Sequence, residues 1–281
     1  MIFEVQNRPA YAYTGGKPFD PSLPTVVFIH GAEHDHSVWG LQTRYFAHHG
    51  FSVLAVDLPG HHRSAGPALT SIADMADWLA ALLDAAGVGR ACVIGHSMGS
   101  LVALDFAARY PARPTHLALV ATAVPMTVSE TLLDAALNRE PEAIAMVNQW
   151  SHSTLAAKPS SPAPGFWLHG MNQRLMERVA ATGEPRLFHT DFTACNAYAD
   201  GLTRAAQVRC PVLLVVGRHD NMTPPRAAQP LAQAFAQANV PNQTVMLDAG
   251  HALMTEQPDA TLDALFAFAS RSATASQSPR Q

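Results

Sequence analysis

A chain of 281 residues of which 48% are hydrophobic can bury one large core, so neither a disordered nor a disulfide-scaffolded protein is expected. Charged residues make up only 14% and the formal net charge is −4, a balance that offers no footprint for nucleic acid or an anionic membrane surface. The expected partner is a neutral small molecule.

At the N-terminus, MIFEVQNRPAYAYTGG lacks a basic stretch followed by an apolar run, and no later apolar run reaches bilayer length. A cytoplasmic protein with no membrane partner is expected. The first strand signal is TVVFI (Thr25 to Ile29), followed by SVLAV (Ser52 to Val56), ACVIG (Ala91 to Gly95), HLALV (His116 to Val120), VLLVV (Val212 to Val216) and QTVML (Gln243 to Leu247). Short runs that are apolar throughout suit strands covered on both faces of a parallel sheet. Between them lie 3.6-residue patterns such as Ile72, Met75, Ala76, Leu79, Leu82 and Leu83, and near the end Leu262, Leu265, Phe266 and Ala269. This alternation predicts an α/β fold with a mostly parallel sheet and helices on both faces.

From about Pro125 the strand signals stop, and helical patterns sit among proline-rich connectors such as AAKPSSPAPG until about Gly201. Residues 125–200 are therefore expected to form an inserted helical cap, with 1–124 and 201–270 as the core. Met171, Leu175, Met176 and Val179 mark one helical face of the cap, and Phe188, Phe192 and Cys195 another. The end, 271–281, is polar and aperiodic and is expected to be a disordered tail. Three cysteines without CxxC spacing, Cys92, Cys195 and Cys210, read as buried free thiols.

The chemistry is carried by Gly95-His96-Ser97-Met98-Gly99, a G-x-S-x-G that follows a buried strand and precedes the helical SLVALDFAARY. A serine on such a turn is held in a strained conformation and exposed at the carboxyl edge of the sheet, with a helix N-terminus beneath it. A serine hydroxyl needs a base, and the base needs an acid to fix its tautomer. Among 14 histidines, His251 stands out because it lies just past the last strand in Asp248-Ala249-Gly250-His251. The matching acid is Asp220, after VLLVV, with Asp248 as a rival better placed to brace the loop. Oxyanion donors are expected from the backbone N–H groups of Met98 and Ala32. His30, Glu33 and His96 from the core, and Phe166, Trp167, Met171, Phe188 and Phe192 from the cap, are expected to border the substrate.

The set FIHGAEHDHSVW, VDLPGHHRS, GHSMGS, GRHDNMTP and GHALMTEQP resembles the α/β-hydrolase superfamily, most nearly its bacterial carboxylesterase-like members, over Thr25 to Phe268. The resemblance implies an eight-stranded sheet, a cap inserted after the sixth strand, a Ser97, Asp220 and His251 triad, and no cofactor. One departure is His62, which occupies a position usually held by glycine, where the turn needs a positive φ. Relatives that act as haloalkane dehalogenases or epoxide hydrolases carry aspartate in place of Ser97, which demotes those reactions. Carbon–carbon bond hydrolases have a glycine-rich oxyanion loop and a tryptophan after the histidine, where this chain has Ala32-Glu33 and Ala252. Ester hydrolysis through an acyl-enzyme is expected. Lactone, enol-lactone or thioester hydrolysis comes next, then carbon–carbon hydrolysis or cofactor-free perhydrolysis, with a ligand receptor as the non-enzymatic alternative. The cluster of His30, His34, Asp35 and His36, with His61 and His62 farther on, lacks the H-x-H-x-D-H spacing of a metallo-hydrolase, so no metal is expected and these residues are read as lying around the rim of the pocket. No feature of the sequence bears on oligomeric state.

Overall fold

The computed structural model describes residues 1–153 and 167–271. Its sheet has eight strands in the order β1-β2-β4-β3-β5-β6-β7-β8. They are β1 (Ile2–Val5), β2 (Arg8–Tyr13), β3 (Thr25–Ile29), β4 (Ser52–Val56), β5 (Ala91–His96), β6 (Pro114–Val120), β7 (Val212–Gly217) and β8 (Asn242–Leu247). From β4 to β8 every neighbouring pair is parallel, while β1 and β2 form an antiparallel hairpin that joins the sheet along β4. All six strand signals fall on strands. The hairpin lacked such a signal: Pro9 interrupts its second strand, and its two-residue turn uses Gln6 and Asn7, at φ +52° and +62°, without a glycine.

Alternation along the strands divides the core into two layers. On one face Val27, Ile29, Leu54 and Val56 pack with α2 (Ile72–Ala85), α3 (Met98–Arg109) and, further along, Leu231 and Phe235. On the other, Val26, Phe28, Val53 and Ala55 pack with Phe46 of α1 (Gly40–His48), and with Leu265 and Phe268 near the C-terminus. Both faces are covered, which is why β3 to β7 are apolar almost throughout. The edge strand β8 is only half buried, and Met246 on it is exposed.

Between β6 and β7 the chain leaves the sheet and forms α4 (Glu130–Asn138), α5 (Glu140–Ser151), α6 (Leu168–Thr182), α7 (Leu187–Ala197) and α8 (Gly201–Ala205). It then completes the sheet with α9 (Pro225–Gln237) after β7, and α10 (Leu253–Glu256) and α11 (Pro258–Ala269) after β8. All three cysteines are buried and free. Among the described residues, no helix is long and apolar enough to cross a membrane. Most of the tail, 272–281, lies outside the described residues.

Candidate active site

Ser97 follows β5 directly, at φ +51° and ψ −121°. A side chain other than glycine rarely takes that conformation, and holding it costs on the order of 1–3 kcal/mol that the surrounding structure must supply. The flanking glycines show how. A Cβ on Gly95 would lie 2.0 Å from the Gly99 carbonyl oxygen, and one on Gly99 would lie 2.4 Å from that of His30. Backbone alone fits at both positions, so the loop after β3 and the start of α3 close tightly around the turn. Ser97 N–H donates to Val120 at 2.9 Å, and the Ser97 carbonyl accepts from Ser100 N–H and hydroxyl. The side chain stays partly exposed, and among the described residues nothing hydrogen-bonds its hydroxyl.

Asp220 and His251 stand on the loops after β7 and β8, the neighbours of β6 toward the sheet edge. Their side chains meet: His251 Nδ1 lies 2.8 Å from Asp220 Oδ2, with both residues buried. Asp220 Oδ1 accepts the N–H groups of Met222 and Thr223 at 2.7 and 2.8 Å, and Oδ2 accepts the Thr223 hydroxyl at 2.7 Å. Burial pushes the Asp220 carboxyl up, but the His251 charge, its hydrogen bond and those from Thr223 outweigh it and hold the group at about 2. An ionised Asp220 accepts the Nδ1 proton, which leaves Nε2 of His251 as the lone-pair nitrogen. Asp248 is exposed and pairs with His219 at 2.7 Å. The His251 carbonyl accepts from His96 Nε2 at 3.0 Å, and the two rings are 4.8 Å apart.

Two backbone donors flank Ser97. Met98 N–H opens α3, and Ala32 N–H sits in the loop after β3; neither is engaged in a hydrogen bond among the described residues. Gly31 makes the approach possible, since a Cβ there would lie 3.2 Å from Ser97 Cβ and 3.1 Å from His96 Nδ1.

The other residues expected at the substrate divide into three groups. His30 and Glu33 present no accessible surface. His30 Nδ1 donates to Gly31 and its Nε2 accepts Leu58 N–H at 3.1 Å, so it braces the loop instead of facing a ligand. Glu33, at φ +53°, donates its backbone N–H to Asp191 of α7. Its carboxyl oxygens have no partner among the described residues, and burial, reinforced by the charges of Asp191 and Glu140, pushes it up to about 9. His96 is likewise buried and supports His251 from behind. Phe188 and Phe192 are buried and pack on each other at 4.4 Å, and Asp191 beside Phe192 accepts the Glu33 N–H, which brings this part of α7 against the loop after β3. Trp167 and Met171, by contrast, are 56% and 53% exposed and line a groove of about 950 Å³ against Val38, Leu41 and Pro258. Phe166 lies outside the described residues.

The histidine cluster is a set of hydrogen bonds. His36 Nδ1 donates to Asp57 at 2.7 Å, Arg63 N–H takes the other Asp57 oxygen, and Asp35 accepts from Ser37 and Arg178. Each of the four carboxylate oxygens in the Asp35, His36 and Asp57 group thus already has a proton donor. His61 Nε2 pairs with Asp191 at 3.0 Å, and His34 lies 3.0 Å from Asn172 of α6. His62 takes φ +39°, the conformation its position demands. Sequence reasoning missed Thr223, Asn172, Arg178 and Asp191. Only Thr223 had a local signal, an Asp-x-x-Thr turn; the others act across more than a hundred residues of chain.

Residues 26–264 match the model of the alpha/beta hydrolase family. The pimeloyl-[acyl-carrier protein] methyl ester esterase of Chromobacterium violaceum is 31% identical over 236 residues, which cover 76% of this chain and 83% of that protein. A dihydrolipoyllysine-residue acetyltransferase component of an acetoin cleaving system from Cupriavidus necator is 40% identical over 115 residues, and there the chain covers 29% of the relative's length. Among solved structures, the enol-lactonase from Burkholderia xenovorans LB400 superposes with a TM-score of 0.83 at 23% identity, covering 96% of this chain and all of that one. With an eight-stranded sheet of this order and the strained turn after β5, the chain belongs to the alpha/beta hydrolase family.

Proposed function

We propose that the protein hydrolyses carboxylic esters of small, largely apolar substrates through an acyl-enzyme, with Ser97 as nucleophile, His251 as base and Asp220 as the acid that orients it. The observation that carries this reading is the buried 2.8 Å contact between His251 and an ionised Asp220, on loops that flank a serine held at positive φ. His251 Nε2 takes the Ser97 proton as the hydroxyl oxygen attacks the ester carbonyl. The resulting oxyanion is met by the Ala32 and Met98 N–H groups at the positive end of α3. The imidazolium then protonates the leaving alcohol, and water repeats the sequence to release the acid.

The described residues between 125 and 200 act as a cap in this reading, fastened by Arg178 to Asp35, by Asn172 to His34 and by Asp191 to the Glu33 backbone. The Phe188 and Phe192 pair, on the helix whose Asp191 holds the Glu33 backbone, supports an apolar acyl group, and the esterase activity named for the Chromobacterium relative supports ester over carbon–carbon cleavage. The test is a panel of p-nitrophenyl esters of increasing acyl length, run beside lactones and thioesters. Esters should give the highest kcat/KM. A lactone or thioester turned over at least tenfold faster would reassign the substrate class, and no turnover of any of them would leave the receptor reading.

A further inference from the structure

Glu256 ends α10 and reaches back to the loop that carries His251. Its Oε1 accepts the Gly250 N–H at 3.0 Å, and its Oε2 accepts the Ser153 N–H at 3.1 Å together with the Ser153 hydroxyl. The last carbonyl groups of a helix have no partner within it. At the end of α5, the Ser151 carbonyl finds two: the backbone N–H of His251 at 2.7 Å and that of Ala252 at 3.0 Å. Gly250 sits inside this junction, where an added Cβ would lie 2.7 Å from Glu256 Oε1, 2.7 Å from the Ser151 carbonyl oxygen and 2.8 Å from Ser153 N. The loop before His251 and the end of α5 are therefore one hydrogen-bonded unit, and the Glu256 carboxylate is the acceptor that three of its donors share.

We propose that Glu256 is a positioning residue that makes the placement of His251 conditional on the docking of α5. This rests on the reading of His251 as the base. A carboxylate suits the position because it accepts at both oxygens and donates nothing. An amide would turn an N–H₂ toward either the Gly250 or the Ser153 donor and push the two strands of chain apart. Displacement of a base by a fraction of an ångström slows proton transfer without touching Phe188 and Phe192 of α7.

The test compares Glu256→Gln with the wild type by three measurements: the stoichiometry and rate of fluorophosphonate labelling at Ser97, KM for an ester, and the low-field ring N–H resonance of His251 in its bond to Asp220. The expected result is full labelling stoichiometry at a rate about tenfold lower, KM within about twofold, and a shifted or broadened resonance. A lowered Tm with wild-type rate and resonance would mean that Glu256 is structural only, and would overturn the proposal. Should Glu256→Gln fail to fold, Ser153→Ala removes one of the shared donors, and it should slow labelling about twofold while moving the same resonance; no change in either would also overturn it. A wild-type chain that takes no label defeats the hydrolase reading, while the His251 resonance in the Glu256 variant still decides the clamp.

Discussion

At the scale of single residues, burial pushes two carboxyl groups up alike, and their neighbours decide on which side of neutrality each is held. Asp220 is surrounded by donors and a histidine, so its pKa is held at about 2, whereas Glu33 has no donor for its oxygens among the described residues and is pushed up to about 9. The two give different predictions. Asp220→Asn should lower kcat by on the order of 10³-fold, because an amide no longer fixes the His251 tautomer. Asp248→Asn should change it by about twofold at most, since its pair with His219 is exposed. Steady-state kinetics of the two variants check the ranking, and the reverse order would move the acid to Asp248. For Glu33 the sign follows from linkage. The unfolded chain ionises it near 4.5 and the folded chain near 9, so the folded state loses stability progressively as pH rises between those values. Glu33→Gln keeps the shape and removes that loss. Its Tm should exceed that of the wild type at pH 8 by roughly 2–4 °C for each kcal/mol regained, and the difference should vanish near pH 4. Thermal melts at the two pH values measure it; an advantage that persists at pH 4 would point to packing instead of charge.

At the scale of elements, the strand and turn signals were legible because each is local. A five-residue apolar run, a glycine pair around a serine and a histidine just past the last strand are all written within a few positions. The helical segment was legible only as helical. Its faces are chosen by what it docks against, and a periodic stripe does not say which partner it meets. Phe188 and Phe192 turn inward and are buried in the core, while Trp167 and Met171, equally apolar, border an open groove. The structure thus separates residues that the sequence grouped together. Phe192→Ala should widen the acyl space and change the chain-length preference by roughly tenfold in kcat/KM between long and short p-nitrophenyl esters, while Met171→Ala should leave that ratio within about twofold. Equal losses on all esters in Phe192→Ala would mark Phe192 as packing alone.

At the scale of the whole molecule, the candidate site draws on the ends of β3, β5, β7 and β8, which come together only because β5 neighbours β3 and β6, β6 neighbours β7, and β7 neighbours β8. No stretch of sequence contains it. The order of Ser97, Asp220 and His251 along the chain was readable, but the junctions that hold them were not: His34 with Asn172, Asp191 with His61, and Ser151 with His251 span intervals of 138, 130 and about a hundred residues. Such contacts depend on where helices dock, which periodicity leaves open. The reading that joins these parts is that Ser97 is the nucleophile. The most direct measurement is mass spectrometry of the intact protein and its peptides after reaction with a fluorophosphonate. One label per chain, on the peptide that carries Ser97, is expected, together with its loss in Ser97→Ala and a fall in ester hydrolysis of on the order of 10³-fold in that variant. Ester hydrolysis that continues in Ser97→Ala at more than a tenth of the wild-type rate, or a label on another residue, would contradict it.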